Sequence, residues 1–238
     1  YTNKETAKQL GKYDPTTYYG PKVSTTFKNT IQAGLADVVL GMRVGDRKKV
    51  VIPGWLMTYS SYGSAEEYIE KATSGSHTIY DITIKDFTDT IGSWEKQQIQ
   101  KYFEANRAEF GDMDTTKFVV MKAKESDAEE TKFDGMYFKS TTNAEFAFTK
   151  DTTIYINYTG KLLNGLVFDT TDEKTAKDNG IYSASRKYKP VPVKWAKDYT
   201  DIKLDGSTVV KGFALTISQM RAYEKGVGIF YSELGYSY

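Results

Sequence analysis

Apolar and polar residues change period several times along this chain, and each change marks an element. Thr78-Ile79-Tyr80-Asp81-Ile82-Thr83-Ile84 alternates at period two, the spacing of a half-buried strand. Before it, Val44-Gly45 forms a turn, and the β-rich run Arg47-Lys48-Lys49-Val50-Val51-Ile52 is closed by Pro53. From Gly92-Ser93 to Asn106 the period lengthens. Trp94, Ile99, Tyr102 and Phe103 share one broad face and Glu95, Lys96, Lys101 and Glu104 the other, which predicts an amphipathic helix. Lys117 to Ala123 is β-rich again, and Glu125 to Thr131 is polar enough for a loop. Phe133 to Ser140 and Thr152 to Tyr158 read as strands, Asn164-Gly165 as a hairpin turn and Leu166 to Asp169 as its return. Apolar helices headed by glycine cover Gly34 to Met42 and Gly212 to Met220. Antiparallel strands with one short helix per domain give the α+β class.

The pattern also repeats. Thr2 to Tyr13 (TNKETAKQLGKY) returns as Thr171 to Tyr182 (TDEKTAKDNGIY) in one ungapped register, and each copy is followed by a glycine-headed helix, a turn and a strand. Tandem duplication is the economical reading. With 238 residues it implies two small domains, 1–88 and 132–238, joined by a helical connector over 89–131. Tyr1 aligns with Thr170, so the first hairpin of domain one is expected to lie outside the chain. The same holds for a closing strand of domain two equivalent to Thr78 to Phe87.

Composition narrows the chemistry. Thirty-two Lys and Arg against 31 Asp and Glu leave a formal charge of +1, so no global field draws nucleic acid or an anionic membrane. Apolar runs are only a few residues long, and nothing in them reads as a membrane span or a signal-peptide core. With no cysteine, thiolate nucleophiles and disulfides are excluded, while the compartment stays open. The abundance of Tyr, Thr and Gly resembles that of exported bacterial proteins. His77 is the one histidine, expected as a surface residue at a strand end, so neither a Ser-His-Asp triad nor a multi-histidine metal site can be built without it. Arg47-Lys48-Lys49 reads as a solvated strand face, and no Gly-rich phosphate loop runs from a strand into a helix. No cofactor or metal is expected.

What remains is an ordered aromatic and apolar set. It comprises Tyr158-Thr159-Gly160, then Asn164-Gly165 and Val167-Phe168-Asp169, then Val209-Val210-Lys211-Gly212-Phe213, and finally Ile229-Phe230-Tyr231-Ser232-Glu233-Leu234-Gly235-Tyr236. This series closely resembles the FKBP-type peptidyl-prolyl cis-trans isomerases. Their pattern has a strand ending Y-T-G, a D/N-G turn, a strand ending F-D, a V-I-x-G-W helix start and an I-P-S-E-L-A-Y-G flap. Domain one carries the later half only, in Ile31-Gln32-Ala33-Gly34-Leu35, Met42-Arg43-Val44-Gly45, Val51-Ile52-Pro53 and Tyr62-Gly63. The resemblance implies two FKBP-like domains, each a curved antiparallel sheet wrapped on a short helix.

It also implies a proline pocket in domain two. Tyr158, Phe168, Asp169 and Tyr236 would be its catalytic residues, and Val209, Val210, Phe213, Val193 and Trp195 its substrate-binding ones. Two positions depart from the family pattern, Phe213 for the pocket-floor Trp and Tyr231 for the flap Pro, and Ala196 to Ser207 is an insertion. In domain one Gln32 and Leu35 replace the apolar and aromatic walls. The resemblance thus implies an isomerase or foldase acting on proline-containing polypeptides through domain two. A non-catalytic FKBP-like peptide-binding chaperone or scaffold is the alternative.

Overall fold

The computed structural model describes residues 3–14, 19, 31–58, 62–72, 77–142, 144 and 146–236. The protein is mixed α+β, and the chain divides into two compact units. One is Ser24–Thr90; the other combines Tyr1–Val23 with Ile91–Tyr238. The chain opens, in the larger unit, with α1 (Lys4–Gln9).

The smaller unit contains α2 (Ala33–Val39), β1 (Arg47–Ile52), α3 (Gly54–Thr58), α4 (Ala65–Lys71) and β2 (Thr78–Thr83). β1 and β2 pair antiparallel from Arg47↔Thr83 to Ile52↔Thr78. Three helices stand where one was expected. α4 was hidden in a polar stretch and is specified by capping: the Ser64 hydroxyl accepts from the Glu67 N–H at 3.1 Å, and the Glu67 carboxylate accepts from the Gly63 N–H at 2.6 Å. His77 is exposed at the head of β2, and its Nδ1 accepts from the Gly54 N–H at 3.4 Å.

The rest of the larger unit runs α5 (Ile91–Ala105), α6 (Arg107–Phe110), β3 (Val119–Met121), β4 (Thr131–Phe133), β5 (Met136–Ser140), β6 (Thr152–Ile156), β7 (Thr159–Lys161), β8 (Val167–Thr170), α7 (Glu173–Asp178), β9 (Val191–Trp195), β10 (Lys203–Leu204), β11 (Ser207–Thr208), α8 (Lys211–Gln219) and β12 (Gly226–Phe230). In place of one curved sheet, the described strands form four small antiparallel sheets: β11-β10-β9-β6, β12-β5, β3-β4 and β7-β8. The expected strand Phe133 to Ser140 is cut at Asp134-Gly135, where Gly135 takes φ 82°. The expected insertion Ala196 to Ser207 holds a 3-10 turn at Tyr199–Asp201, the strand β10 and the first residue of β11.

Three apolar clusters hold this unit. One joins Val193, Trp195, Ala196 and Ile202 to Ala214 and Ile217 of α8. A second joins Val119, Phe133 and Met136 to Leu215, with Phe230 packed against it. The third sits under α5: Ile99, Phe103, Phe110 and Tyr137, with Val227, Ile229 and Tyr231 packed on it. Glu95, expected on the solvent side of α5, is half-buried, because it heads the row Glu95, Ile99, Phe103 at four-residue steps.

The repeat is visible as repeated geometry. α1 and α7 are capped by Asn3 and Asp172, whose side chains accept from the N–H groups of Thr6 and Thr175 at 2.9 and 2.7 Å. Both helices end on a left-handed glycine, Gly11 at φ 64° and Gly180 at φ 69°, with Schellman bonds from Lys12 N–H to Ala7 O and from Ile181 N–H to Ala176 O. Beyond each glycine two tyrosines stack, Tyr13 on Tyr19 and Tyr182 on Tyr188, at 5.6 and 5.5 Å. In the second repeated segment Gly34 abuts Ile52 and Gly212 abuts Phe230. A Cβ on these glycines would stand 2.4 Å from the Ile52 Cγ2 and 2.3 Å from the Phe230 Cδ2.

Candidate functional site

Tyr158 stands between β6 and β7 and is held there by two threonines. Its N–H donates to the Thr171 hydroxyl at 3.0 Å, and its carbonyl accepts from the Thr171 N–H at 3.0 Å and from the Thr170 hydroxyl at 3.2 Å. Thr170 and Thr171 are buried, and their hydroxyls are satisfied by these and neighbouring bonds. Thr171 is also the first residue of the second repeat copy, so the repeated segment begins by fixing the backbone of Tyr158.

The Tyr158 hydroxyl donates to Asp169 Oδ2 at 2.6 Å, and its ring meets Phe213 edge-on with centroids 5.6 Å apart and planes at 78°. The second carboxylate oxygen of Asp169 pairs with the Arg186 guanidinium. Burial and then the bond to Asp169 push the Tyr158 pKa up to about 12, so the phenol stays a proton donor across the neutral range. Arg186 comes from the loop between the stacked Tyr182 and Tyr188, and its guanidinium lies 5.7 Å from the Tyr188 ring centre. Sequence reasoning did not single out Arg186, Thr170 or Thr171; the tyrosine spacing that frames Arg186 was the available signal.

The other expected residues fall into two places. Phe168 is 47% exposed and meets the 78% exposed Tyr236 edge-on at 6.2 Å. Its ring lies over Gly160, where a Cβ would stand 2.7 Å from the Phe168 Cζ, which accounts for a glycine after Tyr158-Thr159. Val193 and Trp195 of β9 are buried in the α8 cluster, with Val209 and Phe213 packed against it. Trp195 meets Phe148 at 5.3 Å with the rings tilted by 49°, and its indole N–H is sealed from solvent with no acceptor among the described residues. Val210 is the N-cap of α8, its carbonyl accepting from the Ala214 N–H at 3.1 Å. Tyr158, Asp169 and Phe213 are thus brought together, Phe213 and Val209 each pack on the cluster of Val193 and Trp195, and Phe168 pairs with Tyr236.

A surface cavity of about 260 Å³ is lined by Tyr199, Thr200, Ile202, Thr208, Val209, Lys211 and Ala214. Of the expected site residues it contains Val209 alone. Lys211 and Ala214 share a face of α8, and Phe213 is turned about 100° from Ala214. In the aromatic set charged and hydrogen-bonding groups converge on one another, whereas the cavity lining holds no carboxylate. Among the described residues no group of three His, Cys, Asp or Glu could hold a metal, and no helix is long and apolar enough to cross a membrane. Comparison with family models, with curated proteins and with solved structures gives no match to this chain.

Proposed function

We propose that the protein is an FKBP-like peptidyl-prolyl cis-trans isomerase that acts on X-Pro bonds of polypeptides through the aromatic set of the larger unit. The observation that carries this reading is the convergence of Tyr158 and Asp169, from the two arms of the β7–β8 hairpin, with Phe213, from α8, in one hydrogen-bonded and edge-stacked group. An X-Pro bond crosses a barrier of ~18 to 20 kcal/mol because the planar amide loses its resonance on the way. A catalyst for this step must favour the twisted, less polar amide over the planar one. Apolar rings around the proline do so by withholding water from the ground-state carbonyl, while Asp169 and the backbone N–H of Val210 orient the peptide. No proton is transferred, so a chain with a single histidine suffices.

The test is exchange spectroscopy on an X-Pro peptide with wild type, Phe213→Ala and Asp169→Asn. Wild type should accelerate exchange. Phe213→Ala should weaken proline binding by roughly 1 to 3 kcal/mol, the scale of a lost buried aromatic contact. Asp169→Asn keeps the shape and alters orientation. Wild-type exchange no faster than the uncatalysed tens to hundreds of seconds would remove the reading.

A second reading, a peptide-binding chaperone or scaffold without turnover, is favoured by the exposure of Phe168 and Tyr236. An exposed aromatic pair suits adhesion to unfolded chain. Peptide retention that survives both substitutions would select it.

A further inference from the structure

We propose that Glu95 on α5 is a positioning residue for Tyr236, acting through the turn that joins β12 to that tyrosine; the inference rests on the isomerase reading and deepens it. Just beyond β12 the chain makes a 3-10 turn at Ser232–Leu234, with Leu234 N–H bonded to Tyr231 O at 3.0 Å and Gly235 N–H to Ser232 O at 2.9 Å. The first N–H of such a turn has no partner within it. Here that group, on Ser232, points at both carboxylate oxygens of Glu95, 3.3 Å from each. Tyr236 follows the turn directly and meets Phe168.

Tyr231 adds a second attachment. Its N–H donates to Gly135 O at 2.9 Å, and its ring covers Gly135 so closely that a Cβ there would stand 2.3 Å from the Tyr231 Cδ2. The same side chain packs on the α5 cluster of Ile99, Phe103, Phe110 and Tyr137. A tyrosine at this position, where the family pattern has proline, therefore ties the turn to the helical layer by packing while Glu95 ties it by charge.

The other repeat copy shows that the N–H after this strand calls for a side-chain acceptor. Gly54 aligns with Ser232, and its N–H donates to the His77 Nδ1. One copy thus uses a residue of its own hairpin, whereas the other uses α5. Helix α5 consequently holds the turn and, through it, the ring that faces Phe168.

The experiment uses the full chain with Glu95→Ala and the isosteric Glu95→Gln. In Glu95→Ala, hydrogen exchange at Ser232 should speed up about tenfold, the scale of a lost hydrogen bond to a charged group. The nuclear Overhauser contact between the Phe168 and Tyr236 rings should weaken, and kcat/KM for an X-Pro peptide should fall. Glu95→Gln, whose amide oxygen still accepts, should recover most of the ring contact. Protected amides at Ile99 and Phe103 in both variants establish that α5 is folded. An unchanged Phe168–Tyr236 contact in Glu95→Ala with α5 intact overturns the inference. If wild type fails to accelerate X-Pro exchange, the isomerase reading falls, while the amide and ring measurements still decide the role of Glu95.

Discussion

The helix-turn-strand segment from Ile31 to Pro53 and its counterpart from Val209 to Tyr231 share their local construction and differ in the strand they pair with. In both, a helix glycine abuts the last strand residue and the turn is tied from side chain to backbone: Arg43 N–H to Asp46 Oδ2 at 2.9 Å, Arg221 N–H to Glu224 Oε2 at 2.5 Å. In the first copy Ile84 N–H bonds to Asp46 O, so the carbonyl of Asp46 faces β2, while its N–H turns back to Arg43 O. In the second, Thr141 N–H bonds to Lys225 O and Tyr231 N–H to Gly135 O, so Lys225 and Tyr231 face β5. Lys225 aligns with Arg47, not Asp46, and successive residues of a strand bond to alternate edges. The two copies therefore use opposite edges of the same strand. Local sequence fixes the helix, turn and strand, and residues far along the chain decide which edge is paired.

The sharpest test of the shared part is the glycine contact. Gly212→Ala drives a methyl into the Phe230 ring, which is wedged against the Val119, Phe133, Met136 and Leu215 cluster, and overpacking of this kind costs about 1 to 3 kcal/mol. The better helix propensity of alanine returns up to ~1 kcal/mol of that. Gly34→Ala should act in the same direction through Ile52. Urea denaturation of each variant measures both; a neutral Gly212→Ala would show that this close approach is not what the two copies conserve.

The site should separate the copies. Leu35 stands where Phe213 meets Tyr158, so Phe213→Leu installs the first copy's residue in the second. Under the proposed isomerase reading, X-Pro exchange should slow about tenfold, ~1.4 kcal/mol, for the loss of the ring-on-ring contact. Exchange at the wild-type rate would mean that the floor residue does not distinguish the copies.

Why some of this was legible and some not follows from the range of each interaction. Period-two runs and the Asn164-Gly165 turn are local signals, and β1, β2, β6 and the β7–β8 hairpin stand close to where they were expected. Tyr158, Asp169 and Phe213 meet, and an ordered series of short motifs was enough to nominate them. Glu95 was assigned to the wrong face because its charge outweighed its place in the row of Ile99 and Phe103; its carboxylate answers an N–H far along the chain, on Ser232. The break at Asp134-Gly135 was missed for a similar reason: the ring that presses on Gly135 belongs to Tyr231. Arg186 depends on a tertiary partner, and the copy-one residue at its position is Thr17.

A smaller effect is expected in the turns. Tyr223 occupies the place of Gly45, and both have positive φ, 64° and 92°. The side chain of Tyr223 is 97% exposed, so it contributes little packing against the strain of a left-handed backbone. Tyr223→Gly should raise the denaturation midpoint by an amount equivalent to about 1 kcal/mol, reduced somewhat by the greater freedom of glycine in the unfolded chain. Gly45→Tyr should lower it, and the pair of measurements shows whether the turn geometry or the residue is what the copies hold in common.

The smallest expected difference lies in the caps of the two repeated helices. Asp172 caps α7 as a carboxylate, its pKa held below the ordinary range by hydrogen bonds from Thr175, first from its side chain and then from its backbone. Asn3 caps α1 through the same geometry with a group that does not titrate. For a carboxylate whose folded pKa is depressed, the stabilisation is present above its unfolded pKa and is lost as the pH falls through the folded one. Acidification should therefore loosen the first turn of α7 and leave that of α1 unchanged. Amide exchange at Thr175 and Thr6, followed through an acid titration and corrected for the intrinsic pH dependence of exchange, reads the two caps side by side. Asp172→Asn should make the second copy behave like the first. Parallel loosening of both helices at low pH would locate the acid sensitivity outside the caps.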